Sequence, residues 1–232
     1  MIAILSDIHG NLHALEAVLG DMPKVSDIYV IGDMVGGASP FPCEAMDMLM
    51  NHSTPVTFVL GNWEWWMMHN RNKITPELRA DKKLAAGVWG IESLKERHWA
   101  LLESLPRTLT VGDKLFFHGS PEKLTEQIFT QKEAEDLAGR HDAKWLIGGH
   151  IHRARLFKVG NRRVLNAGSV GIPCDDIAGA ACYALMDGES AHFRHVSYDV
   201  EAAVSAIEKS EIYKLANEYA RAIISVMRSG NY

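Results

Sequence analysis

The sequence predicts an α/β (α+β) fold, a four-layer α-β-β-α sandwich in which two mixed sheets are flanked by helices. Three observations predict it: strands and helices alternate at the start, a helical stretch follows, and the second half is rich in strands. We expect a single domain over residues 1–232, with a helical cap or insertion at about 63–105 and a C-terminal helix from about 199.

The first part of the chain alternates short apolar runs with amphipathic stretches. In order, the predicted elements are strand 2–6, helix Leu12–Gly20, strand 28–31, helix Cys43–Asn51 and strand 56–60. Asn11 precedes the first helix and is its expected N-cap. Because this order requires crossover connections, the three strands should be parallel, and ligands should bind beyond their carboxyl ends.

Residues 63–105 have a different character. A cluster of tryptophan and methionine is followed by a helical pattern from Pro76 to Leu105, and Pro106 marks its end. Proline suits the first turn of a helix, which places Pro76 at the start. We predict a helical cap packed beside the site rather than a separate domain.

The rest of the chain returns to strands. Those predicted are 107–111, 114–118, 144–149, a hairpin-like pair at 154–159 and 162–166, and a last pair at 180–187 and 191–197. This half predicts a second, more antiparallel sheet. From Asp199 onwards apolar residues recur at helical spacing, which predicts the C-terminal helix.

Composition excludes several classes of function. The net charge of −5 argues against bulk binding of nucleic acid or of an anionic membrane surface. The three cysteines are an odd number without metal-type spacing, so a disulfide framework is not expected. No apolar run approaches the ~18 residues that a membrane span needs. The chain enters a strand without a signal-peptide pattern, and a cytoplasmic location is the expectation.

Five predicted strands end in residues that bind metals. The residues are Asp7, His9, Asp33, Asn62, His118, His150 and His152. Each alone is readily explained as a helix cap, a turn residue or a half-buried histidine. Packing gives no reason for seven of them to gather at strand ends, and together they predict a metal site.

Two carboxylates, one amide and four imidazoles make a mixed oxygen and nitrogen ligand set without thiolates. Such a set suits Mn²⁺, Fe or Zn²⁺ better than Ca²⁺ or Mg²⁺. Seven ligands are too many for one ion with open positions, but they suit two ions that share a carboxylate. We expect two divalent transition-metal ions, with Mn²⁺ as first choice and Fe, Zn²⁺, Ni²⁺ and Co²⁺ as alternatives. Such a pair generates hydroxide from water, which attacks phosphorus in line.

The strand-end motifs resemble those of the calcineurin-like metallophosphoesterase superfamily. The motif blocks are Asp7-x-His9, Gly32-Asp33, Gly61-Asn62, His118-Gly119 and Gly149-His150-x-His152, in the family's order across residues 1–175. Asp-Ile-His-Gly-Asn, Gly-Asp-x-Val-Gly, His-Gly-Ser-Pro at 118–121 and Asn-x-Gly-Ser-Val-Gly at 166–171 are similar to the small prokaryotic phosphodiesterase and diadenosine-tetraphosphatase-like members.

The resemblance implies the metallophosphoesterase-like sandwich and a division of the ligands. One ion would be held by Asp7, His9 and His152, and the other by Asn62, His118 and His150, with Asp33 bridging. Asn62 and Asn11 are the predicted substrate-binding residues. No protein nucleophile is required.

The sequence departs from the family pattern at two positions. In much of the superfamily a histidine follows the asparagine and serves as proton donor, whereas here that position is Trp63. An indole cannot act as a general acid at neutral pH, so no catalytic acid is assigned, and His69 is the one substitute considered. We expect a bias towards leaving groups of low pKa, such as phosphoanhydrides and aryl oxides.

The second departure is Cys174, where close relatives often carry an arginine that faces the substrate phosphate. Arg153 and Arg155 are candidate substitutes. On a strand that starts at His152, however, both should point away from the site, and we predict that they are surface residues.

The leading prediction is a dinuclear-metal phosphoesterase, with a phosphodiesterase as first choice, that cleaves a phosphodiester or nucleotide-type phosphoanhydride in a small phosphorylated substrate. One alternative is a catalytically weak metal-binding scaffold, resembling the retromer subunit of this fold. Another is a protein serine/threonine phosphatase, which the replacement of Asp-Arg-Gly by Gly36-Gly37-Ala38 disfavours. A nuclease is disfavoured by the acidic charge. The cap and the C-terminal helix are alternative homodimer surfaces, and either is equally compatible with core.

Overall fold

The structure, a computed structural model, describes residues 1–231. Its strands are β1 Ile2–Leu5, β2 Ile28–Ile31, β3 Val56–Val59, β4 Leu109–Val111, β5 Lys114–Phe116, β6 Trp145–Gly148, β7 Ala154–Val159, β8 Arg162–Ala167, β9 Ala180–Asp187 and β10 Ser190–Ser197. Its helices are α1 Leu12–Asp21, α2 Pro42–Met50, α3 Asn62–Asn70, α4 Pro76–Ala80, α5 Leu84–Ser93, α6 Glu96–Ser104, α7 Gln131–Arg140, α8 Val200–Glu208, α9 Glu211–Leu215 and α10 Asn217–Ser229.

The strands form two five-stranded mixed sheets. The first has the order β10-β9-β1-β2-β3, and β1, β2 and β3 are parallel as predicted. The second has the order β4-β5-β6-β8-β7, with β5, β6 and β8 parallel and antiparallel strands at both edges. The carboxyl ends of six parallel strands, three in each sheet, therefore supply loops to one region.

The assignment of β9 and β10 to the second sheet was wrong, because both join the first sheet. β9 pairs antiparallel with β1, with Ala3 opposite Leu185. The physical reason is that both faces of β9 are apolar. Tyr183 packs among the residues under α1, while Ala184 and Met186 pack between the sheets. A strand that is buried on both faces belongs inside a sheet, beside another central strand.

One helix, α7, was not predicted from the sequence. α7 connects β5 to β6, which are parallel and so need a crossover. Its start carries a recognisable signal: the Thr130 side chain accepts a hydrogen bond from the Glu133 backbone N–H, and the Glu133 carboxylate accepts from the Thr130 N–H at 2.8 Å. This reciprocal capping box reads Thr-x-x-Glu in the sequence.

The layers follow the predicted α-β-β-α order. One apolar core lies between the sheets, another packs α1 and α2 on the first sheet, and a third packs α7 on the second sheet. A further core is formed by α8, α9 and α10, whose apolar residues are largely buried. The single predicted C-terminal helix is thus three helices, and its apolar stripe is core.

The predicted run from Pro76 to Leu105 is also divided, into α4, α5 and α6. Pro76 lies in the first turn of α4, as expected. A break follows Ala80, where the Asp81 carboxylate accepts hydrogen bonds from the backbone N–H groups of Lys83 and Leu84. We refer to α3, α4, α5 and α6 together as the cap. Within residues 1–231 no helix combines the length and the apolar character needed to cross a membrane.

Candidate metal centre

The predicted ligands lie at the facing strand ends of the two sheets. Asp7, Asp33 and Asn62 follow β1, β2 and β3 of the first sheet. His118 follows β5, and His150 follows β6 in the second sheet. The seven residues, which are far apart in the sequence, surround one buried space between the sheet edges.

Most of these residues have an unusual backbone conformation. Among residues 1–231, six non-glycine residues have a positive φ, and five belong to the predicted set: Asp7, His9, Asp33, His150 and His152. The left-handed conformation costs an ordinary residue about 1–2 kcal/mol. Strain of this kind persists only where the surrounding structure enforces it, and it clusters at functional sites.

The first group of ligand atoms comes from Asp7, His9 and His152. The Nε2 atoms of the two histidines lie 3.1 Å apart. Oδ1 of Asp7 lies 3.2 Å from Nε2 of His152 and 3.8 Å from Nε2 of His9. All three ligand atoms are within 4.8 Å of one another and can share one ion.

The second group comes from Asp7, Asp33 and His118. Nε2 of His118 lies 3.4 Å from Oδ2 of Asp33 and 3.8 Å from Oδ1 of Asp7. It also lies 3.0 Å from Oδ1 of Asn62, and its ring makes an edge contact with the ring of His150 at 5.2 Å. Asp7 therefore faces both groups.

One oxygen of each aspartate is fixed by the protein, and the other faces the imidazoles. Oδ2 of Asp7 accepts hydrogen bonds from the Ser6 hydroxyl at 2.5 Å and from the His150 backbone N–H at 2.9 Å. Oδ1 of Asp33 accepts one from the Trp63 backbone N–H at 2.9 Å. These contacts orient both carboxylates before any ligand binds.

Two histidines are held in a defined tautomer. Nδ1 of His118 lies 2.9 Å from the Ile31 carbonyl, and Nδ1 of His152 lies 2.8 Å from the Ile172 carbonyl. Because a carbonyl can only accept, each Nδ1 carries the proton. When the rings are neutral, Nε2 therefore presents a lone pair to the centre, as a metal ligand requires.

Glu64 holds the backbone beside the centre, and the sequence did not identify it as a site residue. Its Oε2 accepts hydrogen bonds from the backbone N–H groups of Asp33 and Gly61 at 2.9 Å, and its Oε1 accepts one from Val35 at 3.1 Å. The side chain is fully buried, and burial together with the nearby Asp33 raises the pKa of Glu64 to about 7. The signal in the sequence is Gly-x-x-Glu at a helix start, half of a capping box.

The segment 166–171, which begins at the end of β8, connects the two sheets at the site. The Ser169 hydroxyl and the Gly171 N–H both donate to the Asp7 carbonyl, at 2.7 and 2.9 Å. The Asn166 side chain donates to the Gly149 carbonyl. This is the segment at 166–171 that resembled the family, and its role in the structure is to hold the loop that carries Asp7.

The charges in the centre stabilise one another. Burial alone would raise the pKa of Asp7, but the imidazoles of His152 and His118 hold it well below its usual value. The pKa of Asp33 is likewise lowered by His118 despite burial. Burial alone would lower the pKa of His118, yet the carboxylates of Asp33 and Asp7 raise it to about 9.

The pKa values of His9 and His150 are lowered, in contrast to that of His118. Burial and the neighbouring His152 lower the pKa of His9 to about 4. Burial and the neighbouring His118 lower the pKa of His150 to about 4. At neutral pH both rings are therefore uncharged and have a lone pair available for a metal ion.

The donor set fits divalent cations. Oδ1 of Asp7 and Nδ1 of His9 are buried and have no hydrogen-bond donor or acceptor among the described residues. A buried carboxylate oxygen without a donor is costly, and a cation among the facing nitrogens would satisfy it. With a pKa of about 9, His118 is protonated at neutral pH in the absence of a metal ion, and its Nε2 donates to Oδ1 of Asn62 at 3.0 Å; a bound cation would take the place of that proton.

A cavity of 560 Å³ opens over the centre. His9, Asp33, Asn62, His150 and His152 line it, along with Trp63, Lys83, Arg153 and Tyr219. His69 lies elsewhere: its ring stacks on that of Trp65 at 3.9 Å, and it lines a different surface depression. The position of His69 does not allow it to replace the missing general acid.

Arg153 is among the residues that line the cavity, whereas the sequence predicted a surface residue directed away from the site. Its guanidinium donates to the Asp176 carboxylate at 3.3 Å and to Oδ1 of Asn231 at 2.7 Å. His152 has a positive φ, so the extended backbone, and with it the alternation of side chains, starts only with β7. Arg155, inside β7, donates instead to the Ala154 carbonyl.

Asn11 has a role within the fold. Its Oδ1 accepts a hydrogen bond from the Ala14 N–H, which confirms the predicted N-cap. Its Nδ2 donates to the Gly171 carbonyl at 2.9 Å and lies 3.3 Å from the Tyr198 hydroxyl. With both side-chain atoms engaged, Asn11 is not included in the substrate site proposed below.

A third group of candidate ligand atoms lies apart from this centre. Asp175, Cys182 and His195 offer atoms within 4.8 Å of one another. Nε2 of His195 lies 3.1 Å from Oδ2 of Asp175, whose Oδ1 accepts from the Ala154 N–H at 2.7 Å. An ion pair and a backbone hydrogen bond account for this cluster.

A model of the calcineurin-like phosphoesterase superfamily domain matches residues 1–191 of the chain. MJ0912, an uncharacterised protein of Methanocaldococcus jannaschii, is 28% identical over an alignment of 236 positions that covers 91% of this chain and 93% of the relative.

Solved structures extend the similarity to the whole chain. A metallophosphoesterase from Sphaerobacter thermophilus has a TM-score of 0.82 at 26% identity, over 99% of each chain. The hypothetical protein PH1004 from Pyrococcus horikoshii OT3 has a TM-score of 0.79 at 19% identity, over 100% of this chain and 99% of that protein. At that identity the second similarity concerns the fold alone.

Proposed function

The chain belongs to the calcineurin-like phosphoesterase superfamily, as its motif blocks predicted, and we propose that it is a dinuclear-metal phosphoesterase. The proposed reaction is hydrolysis of a phosphodiester or of a nucleotide-type phosphoanhydride. The observation that carries the proposal is the buried Oδ1 of Asp7, which has no hydrogen-bond donor and faces the Nε2 atoms of His9, His118 and His152.

We propose Asp7, His9, Asp33, Asn62, His118, His150 and His152 as the ligands of two divalent ions, with Mn²⁺ as first choice. When bound, the ions polarise the phosphoryl group and supply a nucleophilic water at neutral pH. The protein's contribution is to fix the ligands. Ser6 and the His150 N–H orient Asp7, Glu64 fixes the backbone at Asp33, and backbone carbonyls set the tautomers of His118 and His152.

The lack of a proton donor beside the centre favours substrates whose leaving groups have a low pKa. Trp63 lines the cavity where many relatives carry the proton-donating histidine, and its indole cannot supply a proton at neutral pH. His69 lies outside the cavity lining. We therefore expect rates to fall steeply as the leaving-group pKa rises, so that aryl esters and anhydrides react at least tenfold faster than alkyl esters.

The direct test is a rate comparison on metal-stripped protein to which Mn²⁺ is returned. The substrates are bis-p-nitrophenyl phosphate, p-nitrophenyl phosphate and a dinucleoside polyphosphate. Asp33→Asn should abolish turnover, since it removes an anionic ligand while nearly preserving shape. The matched control is Asp142→Asn, an aspartate whose side chain is fully exposed and paired with Arg162, which should behave like wild type.

The preferred substrate would separate diesterase, monoesterase and anhydride hydrolase. Metal binding without turnover on all three substrates would contradict the proposed activity and favour a metal-binding scaffold. Failure to bind metal would contradict both. With an alkyl monoester added to the same assay, a rate equal to that of p-nitrophenyl phosphate would refute the leaving-group preference alone.

A further inference from the structure

A second cavity of 380 Å³ adjoins the metal centre on the side of the cap, and we name it the tryptophan pocket. Its main lining residues are Trp63, Trp65, Trp66, Lys83, Leu84, Arg107 and Leu124. It shares Asn62, Trp63 and Lys83 with the cavity over the metal centre. The two cavities are therefore adjacent.

The walls of the pocket are aromatic and arranged by the cap. The rings of Trp63 and Trp66 meet edge to face at 5.9 Å, an arrangement that stabilises aromatic pairs. Gly87 of α5 lies against both rings, and a Cβ there would come within 2.5 Å of Trp66 and 2.8 Å of Trp63. Trp65 lines the pocket and is 42% exposed, and its ring also stacks on that of His69 at 3.9 Å. Exposed indole surface next to a concave site is typical of ligand binding.

The ammonium group of Lys83 lies at the boundary of the two cavities. Nζ of Lys83 is 5.7 Å from the ring centre of Trp63 and 5.9 Å from that of Tyr219. Among residues 1–231 no carboxylate forms an ion pair with it, whereas the adjacent Lys82 is paired with Glu218 at 2.5 Å. A lysine ammonium is a compact charge that binds phosphate oxygens.

We propose that the tryptophan pocket binds the base of a nucleoside phosphate, while Lys83 binds the phosphate oxygens at the boundary with the metal centre. This proposal rests on the proposed function, because the phosphate so placed is the one to be hydrolysed. Indole faces stack on any base, so the pocket selects nucleotides as a class rather than one base.

The test compares two ligands that differ only in the base. Binding of AMP and of ribose 5-phosphate to the Mn²⁺-loaded full chain is measured by calorimetry, with quenching of tryptophan fluorescence as a second signal. AMP should bind roughly tenfold more tightly or better, the factor that stacking of one base supplies.

Three variants test which residues bind the base and which bind the phosphate. Trp65→Leu, at an exposed position that tolerates substitution, should bring AMP close to ribose 5-phosphate. Trp89→Leu makes the same change in α5 outside the pocket and should keep the wild-type ratio. Lys83→Met should weaken both ligands by a similar factor, several-fold or more, because both carry the phosphate. Metal content and thermal unfolding are recorded for each variant.

The outcomes separate this proposal from the proposed function. Equal affinity of AMP and ribose 5-phosphate in the wild type would overturn the pocket, even if p-nitrophenyl esters are hydrolysed. Base-dependent binding without turnover of any substrate would support the pocket and contradict the hydrolase. Loss of the base preference in Trp89→Leu as well would show that it depends on the cap as a whole, and would overturn the assignment to these tryptophans.

Discussion

The metal centre and the tryptophan pocket are adjacent but built in different ways. The ligands of the centre follow strand ends, are mostly buried, and are fixed by hydrogen bonds to backbone groups. The pocket is lined by side chains of α3, α5 and nearby loops, held mainly by ring contacts, and partly exposed. Under the two proposals above, the atoms needed for chemistry are fixed by the sheets, whereas the atoms that select a substrate are carried by the cap.

Substitution at a glycine tests this difference most severely at the centre. A Cβ on Gly149 would lie 1.9 Å from Oγ of Ser6 and 2.8 Å from Oδ2 of Asp7. We expect Gly149→Ala to displace Asp7, to weaken metal binding by about 10–100-fold and to lower stability by about 1–3 kcal/mol. Metal titration and chemical denaturation measure these effects.

The control for this change is Gly20→Ala in α1, where a Cβ would meet no atom within 4 Å. Alanine is favoured over glycine inside a helix, so this variant should be more stable by about 0.5–1 kcal/mol. Wild-type metal affinity in Gly149→Ala would contradict the fixed geometry that we assign to Asp7.

Glu64→Gln should have the next largest effect. The amide nitrogen that replaces one carboxylate oxygen cannot accept a hydrogen bond, so at least one of the N–H groups of Asp33, Gly61 and Val35 loses its acceptor. An unsatisfied buried donor costs about 1–3 kcal/mol. We expect that loss in the free energy of unfolding, together with weaker metal binding. A neutral result in both measurements would remove Glu64 as a supporting residue.

Gly87→Ala is the counterpart of Gly149→Ala on the cap side. The added Cβ would press on the rings of Trp66 and Trp63, so we expect AMP to lose several-fold in affinity while metal content stays at the wild-type level. Overpacking should cost about 1–3 kcal/mol at most, because the cap is partly exposed and can adjust. Loss of metal in this variant would show that the two regions are coupled.

The smallest effect is expected where the cap meets α2. Hydrogen bonds from Arg97 and from buried His98 lower the pKa of Asp47, with the Arg97 contact as the larger cause. A carboxyl whose folded pKa is depressed adds stability above its unfolded pKa of about 3.9 and loses it as the pH falls further.

Asp47→Asn should therefore lower stability at pH 7 by about 1 kcal/mol, and it should flatten the loss of stability below about pH 4. Thermal unfolding from pH 7 to pH 2 measures both. An acid-side slope identical to that of the wild type would show that Asp47 does not contribute to it.

Much of this protein could be predicted from local sequence signals. The parallel β1-β2-β3 order, the β7-β8 hairpin and the gathering of ligand-type residues at strand ends follow from apolar runs closed by glycine, aspartate or histidine. These features depend on periodicity and on chain order, which the sequence alone contains. The sequence alone also showed that Trp63 replaces the usual histidine.

Other features were decided only by tertiary structure. β9 and β10 joined the first sheet because β9 needed cover on both faces, which no local pattern specifies. Arg153 is among the residues that line the cavity, at a point where the positive φ of His152 interrupts the strand alternation on which its prediction depended. Lys83 lines the cavity over the candidate metal centre because of how the cap packs, and its position in the sequence carried no signal of that placement. Local sequence determines which residues end each strand, whereas the burial of whole elements determines which of those residues meet.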